Sequence, residues 1–132
     1  MKHQVRKFET GATRSPEEWK YDYEGFLSPR VLERYAAYMH KHRIQTDGSL
    51  RASDNWQKGI PRDSYMKSLW RHFIDVWKNH RRLYTPESVE ENLCAVIFNA
   101  SGYLHEILKA AEPWKWEVEA PPEYSPKIGG TD

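Results

Sequence analysis

The stretch that most constrains this chain is TPESVEENLCAVIFNASGYLHEILKAA, from Thr85 to Ala111. From Leu93 to Leu108 it is apolar over most of a helical circumference, a pattern stable in water only when neighbours cover the helix on more than one side. A central helix is therefore predicted here. Thr85 is placed to cap it, Pro86 takes the first helical position, and Glu87 sits near the positive end of the dipole. Gly102 interrupts the run, and it is expected where another helix approaches closely.

Two further helices are predicted before it. SPRVLERYAAYMHKHR opens with Ser28 as N-cap and Pro29 at the first position, where its missing N–H costs nothing. Val31, Leu32, Tyr35, Ala36, Tyr38 and Met39 recur at the three-and-four spacing of one buried face, with Glu33 and His40 on the other side. The basic end, His40 to Arg43, suits a helix C-terminus. Asp47-Gly48 marks a turn, and the polar stretch through Gly59 reads as a loop. The next helix starts at Pro61. Its apolar arc comprises Tyr65, Met66, Leu69, Trp70, Phe73, Ile74 and Trp77, with Arg71 and Asp75 outside the arc and His72 at its edge.

Nothing reads as a strand. The expected fold class is all-α: a helical bundle with three main helices, a long polar loop between the first two, and irregular N- and C-terminal segments. The boundaries are an irregular N-terminal segment 1–24, an α-helical domain 25–112, and a Pro-rich tail 113–132 whose Trp114 and Trp116 are expected to pack back onto the bundle.

A chain of 132 residues suits one domain with a modest core. Its hydrophobic content of 39% is low, but six Trp and eight Tyr bury much area per residue, which argues against disorder throughout. A net charge of +1 lacks the basic excess of a nucleic-acid binder, so that partner is disfavoured. The single Cys94 excludes an internal disulfide and forms no zinc-ligand spacing; inside LCAVIF it reads as a small core residue. That run of six is far short of a membrane span, and MKHQVRKFET lacks the apolar core of a signal peptide. A reducing cytoplasm is the default compartment.

Several side chains have chemistry to offer. Asn99, within AVIFNASGYL, is a buried amide that either fixes helix register through a hydrogen bond or walls a ligand pocket. Asn92, Asn99 and Glu106 make one stripe, with Tyr103 beside it. Glu87, Glu90 and Glu91 have carboxylates spaced to converge on a hard cation, although helix dipoles also favour acids in a first turn. His72 and Asp75, one turn apart, suit a shared metal or an acid–base pair; the alternative is a surface ion pair of Asp75 with Arg71, four residues before it, of little energetic consequence. The loop DNWQKG supplies Asp54, Asn55, Trp56 and Lys58, a mixture suited to a phosphate or a base. There is no GxxxxGK[ST], GxGxxG or GxSxG, so standard phosphate loops and a nucleophile elbow are excluded.

Taken in order, GATRS, DYEGFLSPRVLERYAAYMHKHR, DNWQKGIP, YMKSLWRHFIDVW and EENLCAVIFNASGYLHEIL resemble a phage-borne family. It is the dATP/dGTP diphosphohydrolase N-terminal family, related to MazG-like all-α nucleotide pyrophosphohydrolases. The similarity spans roughly Arg6 to Lys109. It implies a helical bundle that assembles as a homo-oligomer, a dimer or tetramer, in the cytoplasm of an infected host cell. Its relatives split a deoxynucleoside triphosphate into monophosphate and pyrophosphate with Mg2+ or Mn2+. A metal bridging phosphates neutralises charge and activates a water without a covalent enzyme intermediate.

Placed within that resemblance, Glu90, Glu91, Asp75 and Glu33 are the expected metal ligands, and Glu91, Asp75 and His72 the catalytic groups. Lys58 and Arg71 are expected to meet phosphate oxygens, Asn55, Trp56 and Asn99 to contact base or sugar, and Asp54 to belong to the same substrate-binding set. The chain also departs from the MazG pattern: Glu33 stands alone where EExxE is usual, and Asn92 follows Glu90 and Glu91 where ExxD is usual. The alternative expectation is a helical module without catalysis that binds nucleotide or a protein partner.

Overall fold

The computed structural model describes residues 5–15 and 20–111. The chain divides into two compact units between Leu27 and Ser28, and Ser28–Pro113 forms the unit that carries the main helices. The tail expected to place Trp114 and Trp116 lies outside the described residues.

The first unit holds a small antiparallel ladder, β1 (Arg6–Lys7) against β2 (Thr13–Arg14), with Arg6 opposite Arg14. The turn between them closes on Gly11, whose φ of +93° favours glycine and whose N–H donates to Phe8 O at 2.9 Å. No strand was expected, because two exposed residue pairs leave no apolar alternation to read. A short helix, α1 (Tyr23–Phe26), follows, its start capped by Asp22 Oδ1, which accepts from Gly25 N at 2.9 Å.

The second unit bears out the all-α expectation: the described chain is mostly helical, with three main helices. Helix α2 (Pro29–Lys41) begins as expected, Ser28 Oγ accepting from Val31 N at 3.3 Å. Helix α3 (Arg62–His80) starts just after Pro61. Helix α4 (Val89–Ala110) starts a turn later than Thr85 would place it, because Ser88 is the cap and accepts from Glu91 N at 3.2 Å. Ser88 with Glu91 has the S-x-x-E spacing of a capping box. No helix among the described residues is long and apolar enough to cross a membrane.

Helices α3 and α4 run antiparallel, with Tyr65 over Gly102 at one end and Asn79 beside Asn92 at the other. Gly102 is the close approach expected of it: the Tyr65 ring occupies the space a Cβ would need. Helix α2 leans on the same α4 through a small core of Tyr38, Cys94 and Ala95, flanked by Tyr35, Met39 and Phe98. Cys94 is buried, as its apolar surroundings imply.

Thr85, released from capping, joins a buried polar cluster. Asn92 Nδ2 donates to Asn79 Oδ1 at 2.7 Å, Asn79 Nδ2 donates to Thr85 Oγ1 at 2.8 Å, and Thr85 Oγ1 donates to Glu87 O at 2.6 Å. Asn92 is only 2% exposed, so truncating it empties a buried site and takes the donor from the half-buried Asn79 carbonyl. Asn92→Ala is expected to destabilise the fold by about 2–3 kcal/mol, read as a lower denaturation midpoint at unchanged slope.

The apolar arcs are wider than the described residues cover. On α2, Val31 and Leu32 are about half exposed rather than buried. On α3 only Tyr65 is buried, while Met66, Trp70, Phe73 and Trp77 face outward, Trp70 at 60% exposure. On α4, Leu93, Leu104 and Ile107 do the same.

Candidate functional site: a hollow at the end of α2

After α2 the chain makes a tight hairpin. Arg51 N donates to Arg43 O at 2.8 Å, Ile44 bridges Leu50, and Gly48 takes a φ of +87° at the tip. Asp47 Oδ1 accepts from Ser49 N at 2.9 Å and Ser49 Oγ at 2.6 Å, which holds its carboxyl below the usual range. A single 3-10 turn, Asn55–Lys58, follows and rests on α4. There the Trp56 ring meets His105 edge-on at 4.7 Å, and Lys109 Nζ donates to Gln57 O at 3.3 Å.

Between this loop, the end of α2 and α4 lies a hollow of about 400 Å3. Tyr38, Met39, Ile60 and Phe98 give it apolar walls, and Asn55 and Trp56 close one side. His42, Arg43 and Arg51 stand on its rim. Burial pushes the Tyr38 hydroxyl up to about 12, with nearby Glu91 adding to the effect, so it stays a neutral donor at ordinary pH.

Beside the hollow sits a charged cluster. Arg34 donates from Nε to Glu90 Oε1 at 2.7 Å and from Nη2 to Glu91 Oε2 at 2.8 Å. Lys41 Nζ reaches Glu91 Oε1 at 3.1 Å, and His42 Nε2 lies 3.8 Å from the same oxygen. The Arg34 bond, followed by Lys41, holds the Glu91 carboxyl below the usual carboxylate range. Both carboxylates in turn hold the Arg34 guanidinium more firmly protonated. Glu91 is 14% exposed at the side chain, so its charge is well anchored.

The expected site residues are thus partly assembled. Asn55 and Trp56 line the hollow; Asp54 and Lys58 belong to the same exposed turn but not to the lining. Glu90 and Glu91 meet through Arg34. Glu33 is exposed on α2 and Glu87 precedes α4, each without an ion pair among the described residues. His72 and Asp75 lie partly buried on α3, and no hydrogen bond joins them. Burial lowers the His72 pKa against the opposing pull of Asp75, and its Nδ1 has no partner. Arg71 donates to Ser68 Oγ at 2.9 Å on the exposed side of α3 and makes no ion pair with Asp75. Asn99 is buried but turns back on its own helix, its Nδ2 donating to Ala95 O at 2.8 Å; the interhelical amide is Asn92 instead.

Among the described residues no three His, Cys, Asp or Glu side chains converge as a metal centre. The best pair for a hard cation, Glu90 with Glu91, is bridged by the Arg34 guanidinium. A dication at this pair would have to displace the Arg34 guanidinium. What the spacing of acids could not reveal was this competitor: Arg34 lies two turns before Lys41 on α2, outside the stretch His40 to Arg43 that reads as a basic helix end.

Comparison with protein-family models, with curated proteins and with solved structures finds no match to this chain.

Proposed function

We propose that the hollow binds a purine deoxynucleoside triphosphate, dATP or dGTP, and that the protein hydrolyses it to monophosphate and pyrophosphate. One observation carries the reading. Asn55, Trp56 and Ile60 from DNWQKGIP and Phe98 from FNASGYLHE wall the hollow, and these segments, taken in order with RHFIDVW, carry the resemblance to the diphosphohydrolase family. A concave site of this size with apolar walls and a few convergent polar groups suits a nucleoside, and the basic rim suits its phosphates. The requirement for Mg2+ or Mn2+ rests on the resemblance alone.

The test is direct. With Mn2+ present, dATP and dGTP are expected to release pyrophosphate, and Glu91→Gln is expected to lower the rate at least about a hundredfold. Binding of dATP without release of pyrophosphate under any metal would reject hydrolysis. That outcome favours a second reading, a nucleotide-binding module without catalysis. The grip of Arg34 on Glu90 and Glu91 speaks for it, because a dication would have to displace a fully charged guanidinium.

We also propose that the protein works as a homo-oligomer. Met66, Trp70, Phe73 and Trp77 lie about a third of a turn round α3 from Tyr65 and Asn79, which face α4. Leu93, Ala100, Leu104 and Ile107 lie on α4 about a third of a turn round from Cys94 and Phe98, which face α2. With the helices antiparallel, both stripes turn to the side of the pair away from α2. Soluble monomers rarely expose so continuous an apolar face.

A further inference from the structure

The hollow has two guanidinium groups that no carboxylate among the described residues neutralises. Of the basic residues around it, Arg34 and Lys41 are bound to Glu90 and Glu91, and His42 lies beside Glu91. Arg43 and Arg51 have no ion pair with any described residue. Each is instead tied to a backbone carbonyl across the hairpin: Arg43 Nε donates to Arg51 O at 2.7 Å, and Arg51 Nη1 donates to His42 O at 2.9 Å.

We infer that Arg43 and Arg51 form a clamp for the polyphosphate arm of a nucleotide whose base lies toward Trp56. This rests on the reading of the hollow as a nucleotide site, and it names phosphate contacts that Lys58 and Arg71 cannot supply from outside the lining. A guanidinium carries five N–H donors in a rigid plane. One is used on each arginine, which leaves the terminal nitrogens of Arg43 and a whole terminal nitrogen of Arg51 for an anion. The carbonyl ties matter as much as the charge. They fix long side chains that would otherwise lose rotamer freedom on binding, so the fork is preorganised for bidentate phosphate recognition. The apolar walls of Met39, Ile60 and Phe98 cannot solvate a phosphate, which orients the arm toward the rim.

A purely structural role for the pair is to clasp the hairpin. The two roles differ in what they do to ligands of unequal charge. The protein is titrated calorimetrically, with divalent ions chelated, against dATP, dAMP and deoxyadenosine. Wild type is expected to bind dATP tighter than dAMP and dAMP tighter than deoxyadenosine. Arg43→Gln and Arg51→Gln are each expected to weaken dATP about tenfold while leaving deoxyadenosine unchanged. Lys67→Gln, on the exposed side of α3, is expected to leave all three unchanged.

Equal weakening of all three ligands would show that the arginines only shape the hairpin, and the clamp would be rejected. Unchanged dATP affinity in the folded variants rejects it as well, while nucleotide binding itself stands. Should either variant fail to fold, wild type decides alone: equal affinity for dATP and deoxyadenosine overturns the clamp. Failure of wild type to bind any of the three removes the nucleotide site and the clamp together.

Discussion

Replacing Gly102 with alanine is expected to lower the melting temperature by about 10 °C, an unusually large loss for one methyl group. Two effects oppose each other. Alanine in place of glycine inside a helix ordinarily stabilises by about 1 kcal/mol. Here the new Cβ would enter the Tyr65 ring at its Cε1 and Cζ atoms. That ring is 1% exposed and packs edge-on against Phe98 at 5.8 Å, so it has no open side to retreat to. Overpacking of an enclosed site costs about 3 kcal/mol, and the collision wins. Thermal melts of Gly102→Ala, Tyr65→Leu and the pair together check this. The double variant is expected to lose less than the sum of the two single losses. A Gly102→Ala protein that melts at or above wild type would mean that α3 and α4 are further apart than described.

The second large effect concerns association. Wild type is expected to sediment as a dimer or larger assembly, and Trp70→Glu with Leu104→Glu is expected to weaken association by about a thousandfold or more. Both side chains are more than half exposed in the protomer, so charging them should leave its helices intact. In an interface, a buried aromatic anchor is worth about 2–4 kcal/mol, and an unpaired buried carboxylate adds to the loss. Sedimentation equilibrium gives the mass and circular dichroism confirms the helices. A wild-type chain that stays monomeric at high concentration would remove the oligomer from the proposal.

The helices were legible because their signals are local. Ser28 with Pro29 marks one start in six backbone atoms' reach, and the apolar run after Glu91 can only be a covered helix. The start of α4 was misplaced because Thr85-Pro86-Glu87 and Ser88-x-x-Glu91 are both plausible caps, and the choice depends on Asn79, thirteen residues before Asn92, claiming the threonine hydroxyl. The hollow was half legible. DNWQKG announces polar chemistry, but His42, Arg43 and Arg51 reach it only through the hairpin closed at Gly48. Ion-pair partners are the least local feature of all. Nothing in the spacing of Glu90 and Glu91 tells that Arg34, more than fifty residues away, lies between them.

The cluster of Asn79, Thr85 and Asn92 has a consequence for how the hairpin of α3 and α4 keeps its alignment. A greasy seam is forgiving: one helix can slip by a turn along the other and still find oil against oil. Amides are not forgiving, since each donor has one partner at one height. The cluster works as a reference mark at the turn end of the pair, and Tyr65 over Gly102 works as a second mark at the far end. Between the two, sliding is arrested, and the surfaces on either side of the pair inherit a constant geometry.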